Sequence, residues 1–230
     1  PLLAHELGLQ DPAAYDISAA CAGFCYGLAQ ADALIRTGAA TTVLVVAAER
    51  LSDLTDTSDR GTAFLFADGA GAAVVVPSET PGIGPVVWGS DGSQSQVIRQ
   101  TQDFREAVPQ GRMPTVAMNG QPVFRWATTF IAEAARRVLD ESGVRPEDLD
   151  VFIPHQANNR ITDSMLRHLK LPEQVVVART IRHLGNTSAS SVPIAIDTLL
   201  TEGQAKSGQT ALIIGFGAGL VYGGQLITLP

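Results

Sequence analysis

The segments ADALIRTG (31 to 38) and AIDTLLTEG (195 to 203) share one pattern at a spacing of 165, with Asp32 over Asp197, Leu34 over Leu199, Ile35 over Leu200 and Gly38 over Gly203. Each closes a helix-like run and is followed by a threonine-led apolar strand, TTVLVVAA (41 to 48) and TALIIGF (210 to 216). A repeated helix-then-strand unit indicates a duplicated chain, and duplication restricts the fold to two like halves. Further strand-like runs rich in β-branched residues are GAAVVV (71 to 76), DVFIP (150 to 154) and VVVAR (175 to 179). Helix patterns over residues 22–37, 122–142, 159–169 and 188–202 alternate with them. In the second of these, Val123, Ala127, Phe130, Ile131, Ala134 and Val138 make one apolar stripe, and Gly143 supplies the stop. Near-continuous apolar strands between helices predict an α/β fold whose sheets are covered on both faces.

The same spacing lays Cys21 over Asn186, so both are expected at the starts of equivalent helices that face one another. It also exposes an asymmetry. Few residues precede Cys21, whereas about 110 separate Asn186 from the end of the first half near Pro77. On this reading about 90 residues of the first half lie outside the chain, and PLLAHELGL belongs to a helix within a domain.

Composition narrows the partners. With 230 residues, 45% of them hydrophobic, and a mean hydropathy of +0.14, the chain can bury a large core as one or two domains. No apolar run approaches the roughly 18 residues of a membrane span, and the first ten residues lack the basic and apolar regions of a secretory signal, so a cytoplasmic setting is expected. A net charge of −7 disfavours nucleic acid, which needs a basic face. Two cysteines are too few for a disulfide framework, and no nearby spacing completes a metal site.

Within DISAACAGFCYG, Cys21 stands where a helix begins, a place whose dipole favours thiolate and lowers the cysteine pKa. Cys25, one turn deeper, reads as packing. A small buried thiol is the plain alternative for Cys21 as well. In VFIPHQANNR, His155 follows an apolar strand, which aims it at the crevice where open α/β sheets bind ligands. His5, His168 and His183 lack that framing. RHLGNTSASS reads as a turn and helix cap. GFGAGLVYGG is a phosphate loop only superficially, since it runs on into a strand; its glycines suit close backbone approach and its amides suit an oxyanion. FADGAGAAVVV reads as a turn leading into a strand.

Taken together, DISAACAGF, ERLSDLTDTSDRGTAFLFADGAGAAVV, PHQAN, GNTSASS and GFGAGLVYGG resemble β-ketoacyl-[acyl carrier protein] synthase III, the initiating condensing enzymes of dissociated fatty acid synthesis, in the thiolase superfamily. The resemblance runs the length of the chain. It implies a duplicated αβαβα layered fold, with residues 1–84 the remainder of the N-terminal half, carrying the nucleophile, and 85–230 the C-terminal half, carrying histidine and asparagine. It makes Cys21 the acylated nucleophile, His155 and Asn186 the pair that handles malonyl thioester, and the amides of Cys21 and Ala218 the oxyanion hole. Leu51, Phe66 and Ile98 fall where the family lines its acyl pocket, and Arg60, Phe124, Ala157, Asn158 and Ile161 along its coenzyme A and pantetheine channel. Ala218, Ala67 and Ser190 stand where the family commonly has glycine, glycine and alanine; none of these changes touches a reacting group.

The implied reaction loads a short acyl group from acyl-CoA onto Cys21 and condenses it with malonyl-[acyl carrier protein], with no metal or redox cofactor, in a homodimer. Carrier protein is acidic, so its dock must be a local basic patch, for which Arg160 and Arg167, seven apart on one helical face, and Arg125 are the candidates. A solvated charged face is the alternative. A cysteine protease also uses Cys, His and Asn in this order, but its CG[SA]C[WY] signature is not matched by AACAGFC. A polyketide starter enzyme, a hydroxymethylglutaryl-CoA-forming relative and a catalytically silent subunit are the other rivals.

Overall fold

The structure, a computed structural model, describes residues 1–230. Its helices are α1 (Leu2–Glu6), α2 (Gly23–Arg36), α3 (Phe104–Ala107), α4 (Gly120–Thr128), α5 (Phe130–Ser142), α6 (Asn159–Leu169), α7 (Ile181–Leu184) and α8 (Ser191–Thr201). Its strands are β1 (Val43–Glu49), β2 (Gly69–Val75), β3 (Val87–Ser90), β4 (Ile98–Gln100), β5 (Val116–Met118), β6 (Val151–Pro154), β7 (Val176–Val177), β8 (Thr210–Gly217) and β9 (Val221–Thr228). The short strands β3, β4 and β5 escape a periodicity reading because three or four residues do not make a pattern.

The main sheet runs β3-β9-β8-β6-β7, with β6 parallel to β7 and β8, and β9 antiparallel to both β8 and β3. Its two faces are buried in different cores. Phe152, Leu212, Ile214 and Phe216 pack outward on Ile131, Val138, Met165 and Leu169 of α5 and α6. Val151, Ile153, Ala211 and Ile213, the alternate residues of the same strands, pack inward on Phe24, Leu28, Val192 and Leu199 of α2 and α8. Each of the larger side chains contributes about 1.5–3 kcal/mol by leaving water, which fixes the strand register. On the far side of α2 and α8 lies the β1–β2 pair, presenting Val45 and Ala47 to that inner core. The order is therefore helix, sheet, helix, sheet.

The expectation of two covered faces holds for the main sheet and fails for β1–β2, where Leu44, Val46 and Val74 point outward and are exposed. The predicted helix over 122–142 is two helices. Thr129 departs to φ −112°, ψ −72°, while the hydroxyls of Thr128 and Thr129 bond the carbonyls of Phe124 and Arg125 one turn back. Beyond that break Ile131 takes the inward position, and Phe130 moves out against Trp126 and Tyr222, 44% exposed.

The internal repeat is visible as helix, strand, antiparallel strand, once as α2–β1–β2 and once as α8–β8–β9. Both helices end at a left-handed glycine, Gly38 at φ 73° and Gly203 at φ 69°, which keeps the spacing of 165. Their starts do not keep it. Each is preceded by a short 3₁₀ turn opened by a left-handed non-glycine residue, Ala20 at φ 44° and Ser188 at φ 51°, a spacing of 168. Since α2 has 14 residues and α8 has 11, Cys21 corresponds to Ala189 at the helix start. Asn186 stands before the turn, in an extended segment bridged to Phe66.

Candidate active site

Three segments far apart in sequence meet at Ser188. The Ser188 hydroxyl faces the Cys21 thiol and acts to lower its pKa, its backbone N–H donates to Asn186 Oδ1 at 2.9 Å, and its carbonyl faces the His155 imidazole. The left-handed backbone of Ser188 lets one residue serve all three. Asn186, 5% exposed, is clamped between Leu65, whose carbonyl accepts its N–H, and Ala67, whose N–H donates to its carbonyl, both at 2.9 Å. With Oδ1 committed to an N–H donor, its side-chain amide is oriented to leave the NH₂ group free to donate. The expected side-chain cap is thus an Asx turn ahead of α8, and no side chain caps that helix.

His155 ends the β6 line, its N–H donating to the Ile214 carbonyl at 2.7 Å. Its Nδ1 lies 2.8 Å from Ser191 Oγ, and Phe216 meets the ring edge-on at 5.3 Å. Burial pushes the imidazole down to about 3, so it is neutral at physiological pH. His5, His168 and His183 are exposed, as expected.

Cys21 lies in the turn before α2, backed by β8. A Cβ on Gly217 would stand 2.8 Å from the Cys21 sulfur, and one on Gly215 would stand 2.8 Å from the Cys21 carbonyl. The GFG glycines therefore admit the turn that carries Cys21, and Ala218 carries the next amide along. The glycines of FADGAG do the same for α8, Gly71 against Pro193 and Gly69 against Ile194, and both lie in β2, which begins at Gly69. Cys25 is fully buried beneath, and neither cysteine is in a disulfide.

The lowered thiol pKa expected at Cys21 is not found. Although the residue keeps some exposure, its sulfur is deep enough that desolvation pushes it up to about 11, with Glu49 adding to the rise and Ser188 opposing it. Burial outweighs the helix start. Glu49 is near because its carboxylate accepts the Ala189 N–H at 3.3 Å.

The remaining residues are placed unequally. Phe66 lies beside Asn186, and Leu51 is tied to that region through Ser52, whose N–H and hydroxyl donate to Asp68. Ile98 stands apart on the β4–β5 hairpin opposite Met118. Arg60 and Phe124 are exposed, and Ala157 and Asn158 are part-buried, Asn158 capping α6 by accepting the Ile161 N–H at 3.0 Å. Ile161, at 3% exposed, packs in the outer core with Met165 and Leu169. Arg160 and Arg167 are exposed on α6, Arg125 is exposed on the neighbouring α4, and none of the three makes an ion pair. Ser188, Ser191, Gln156 and Phe216 carry no sequence signal of their own; only their neighbours in space mark them.

Comparison with known proteins agrees on one family. The profile described as 3-oxoacyl-[acyl-carrier-protein (ACP)] synthase III matches residues 15–92, and that for the C terminal of the same synthase matches 139–229. The chain is 57% identical over 231 residues to the β-ketoacyl-[acyl-carrier-protein] synthase III of Streptomyces glaucescens, covering 99% of this chain and 69% of the relative. It is 54% identical to β-ketoacyl-[acyl-carrier-protein] synthase III 1 of Streptomyces coelicolor, with 99% and 70% covered. Among solved structures, the priming β-ketosynthase of the R1128 polyketide biosynthetic pathway is similar with TM-score 0.96 and 47% identity, covering 100% of this chain and 69% of that one. The Pseudomonas aeruginosa 3-oxoacyl-(acyl carrier protein) synthase III is similar with TM-score 0.94 and 37% identity, covering 100% and 72%.

Proposed function

This chain belongs to the 3-oxoacyl-[acyl-carrier-protein] synthase III family of acyl-transferring condensing enzymes, and from that premise we propose that it loads a short acyl group from acyl-CoA onto Cys21 and condenses it with malonyl-[acyl carrier protein]. The observation that carries this reading is the meeting of Cys21, His155 and Asn186 around Ser188. The Cys21 sulfur attacks the thioester carbon, the amides of Cys21 and Ala218 hold the oxyanion, and coenzyme A departs as its thiol with the proton that Cys21 gives up. A neutral His155 of low basicity is poorly suited to keep that proton and well suited to donate a hydrogen bond. Together with the Asn186 NH₂ it holds the malonyl thioester oxygen as carbon dioxide leaves and an enolate forms. The carbanion then attacks acyl-Cys21, the new carbon–carbon bond replaces the sulfur–carbon bond, and 3-oxoacyl carrier protein is released. The reaction calls for no metal or redox cofactor. Arg125, Arg160 and Arg167 form the dock for the acidic carrier, and the enzyme works as a homodimer in the cytoplasm.

Fatty acid initiation is the first reading. The likeness to a priming ketosynthase favours a second, in which the same chemistry starts a polyketide. Radiolabelled acyl-CoA followed by malonyl-carrier protein tests both: label is expected on Cys21 and then on the carrier, the preferred carrier separating the pathways. A protein that leaves Cys21 unlabelled is not this enzyme.

A further inference from the structure

His155 is gripped at Nδ1 by a hydroxyl, and a count of protons decides what that hydroxyl does. Ser191 Oγ has two partners: the Gln156 backbone N–H at 3.2 Å and His155 Nδ1 at 2.8 Å. An amide N–H only donates, so it occupies an acceptor site on the oxygen. The hydroxyl proton then has one acceptor in reach, Nδ1, and a ring nitrogen that accepts carries no proton of its own. Ser191, Gln156 and His155 are at most 2% exposed, so bulk water does not compete for these bonds. The amide that donates to Ser191 is itself immobile. Gln156 Nε2 donates to the carbonyls of Pro154 and Ala178 at 2.8 and 3.3 Å, and its Oε1 accepts the Ile181 N–H at 3.2 Å.

We propose that Ser191 is a positioning residue that fixes His155 as the Nε2–H tautomer, so that an N–H rather than a lone pair is offered to the substrate carbonyl beside the Asn186 NH₂. The effect on rate rests on the condensing reading given above; the tautomer does not.

Long-range proton–nitrogen correlation on the full chain labelled with ¹⁵N-histidine separates the two tautomers, and His155→Gln identifies the signals. The wild-type protein is expected to show a protonated Nε2 and a bare Nδ1. In Ser191→Ala the Nδ1–H form gains population, and the loss falls on decarboxylation of malonyl-carrier protein, with kcat down roughly tenfold or more, KM little changed and Cys21 acylation largely spared. Ser191→Thr, which keeps the hydroxyl, retains the wild-type tautomer and rate. An Nδ1–H tautomer in the wild-type protein overturns the proposal even if Ser191→Ala does not fold, and so does an unchanged tautomer in a folded Ser191→Ala. A wild-type Nε2–H tautomer in a protein that does not decarboxylate malonyl-carrier protein sinks the condensing reading and leaves the assignment of Ser191 standing.

Discussion

The two cysteines differ by one helical turn, and their surroundings set them apart. Cys21 touches Ser188 and the Gly217 backbone, whereas Cys25 lies sealed in the inner core. Cys21→Ser is expected to lower acyl transfer by about 10³-fold or more, and Cys25→Ser to keep labelling at a cost of about 1 kcal/mol in stability, both read from acyl-enzyme mass and denaturant unfolding. The pH dependence follows from the same burial. Because the Cys21 thiol is pushed up to about 11, the acylation rate should climb with pH throughout the neutral and alkaline range. Because His155 is held down to about 3, decarboxylation should stay flat across that range. Stopped-flow acylation and a separate decarboxylation assay distinguish these; an acylation rate that plateaus near neutrality would mean a stabilised thiolate. The strand-ending position of His155 was legible in sequence, but the sign of the Cys21 shift was not, since a helix start and burial act in opposite directions and only depth decides between them.

At the scale of elements, the glycines of β8 are fixed by what lies behind them. The strand must pass under the turn that holds Cys21, and only a residue without Cβ permits it. Gly217→Ala is expected to abolish acylation while leaving most of the fold, because the new methyl would stand 2.8 Å from the sulfur and 2.9 Å from the Cys21 Cβ and would push the turn away. Acyl-enzyme mass measured beside the thermal transition separates the two effects. The helices α2, α6 and α8 and the strands β1, β6 and β8 follow the apolar periodicity of the chain closely. The break between α4 and α5 does not announce itself there, because an apolar stripe continues through Thr129 while the backbone turns aside.

Across the whole molecule, buried titratable groups set a window of stability. His155 has a folded value near 3 against 6.5 unfolded, so the unfolded chain takes up the extra proton between them, and stability should fall as pH drops below about 6.5. Cys21 and Cys25, near 11 and 12 when folded against 9.0 unfolded, make the unfolded chain lose protons first above pH 9, so stability should fall there as well. Chemical denaturation at stepped pH should show a plateau between these limits. The charge of −7 makes the exposed Arg125, Arg160 and Arg167 a local exception. Reversing Arg160 and Arg167 to glutamate should raise the KM for carrier protein roughly tenfold, with weakened salt dependence and little effect on Cys21 acylation by acyl-CoA.

The sequence by itself determined the α/β class, the repeat, the family and the segments that bear Cys21, His155 and Asn186, because each is written in periodicity or in motifs contiguous along the chain. It placed Cys21 opposite Asn186 through the spacing of 165, and the helices bear that spacing only at their ends. At their starts a three-residue difference in length pairs Cys21 with Ala189 and leaves Asn186 on an extended segment beside Phe66. Only the tertiary structure decided that Ser188 joins the three segments, that Ser191 grips His155 and that Ile161 belongs to the core. Those facts depend on backbone conformation and depth, which arise when distant segments pack and which no local pattern encodes.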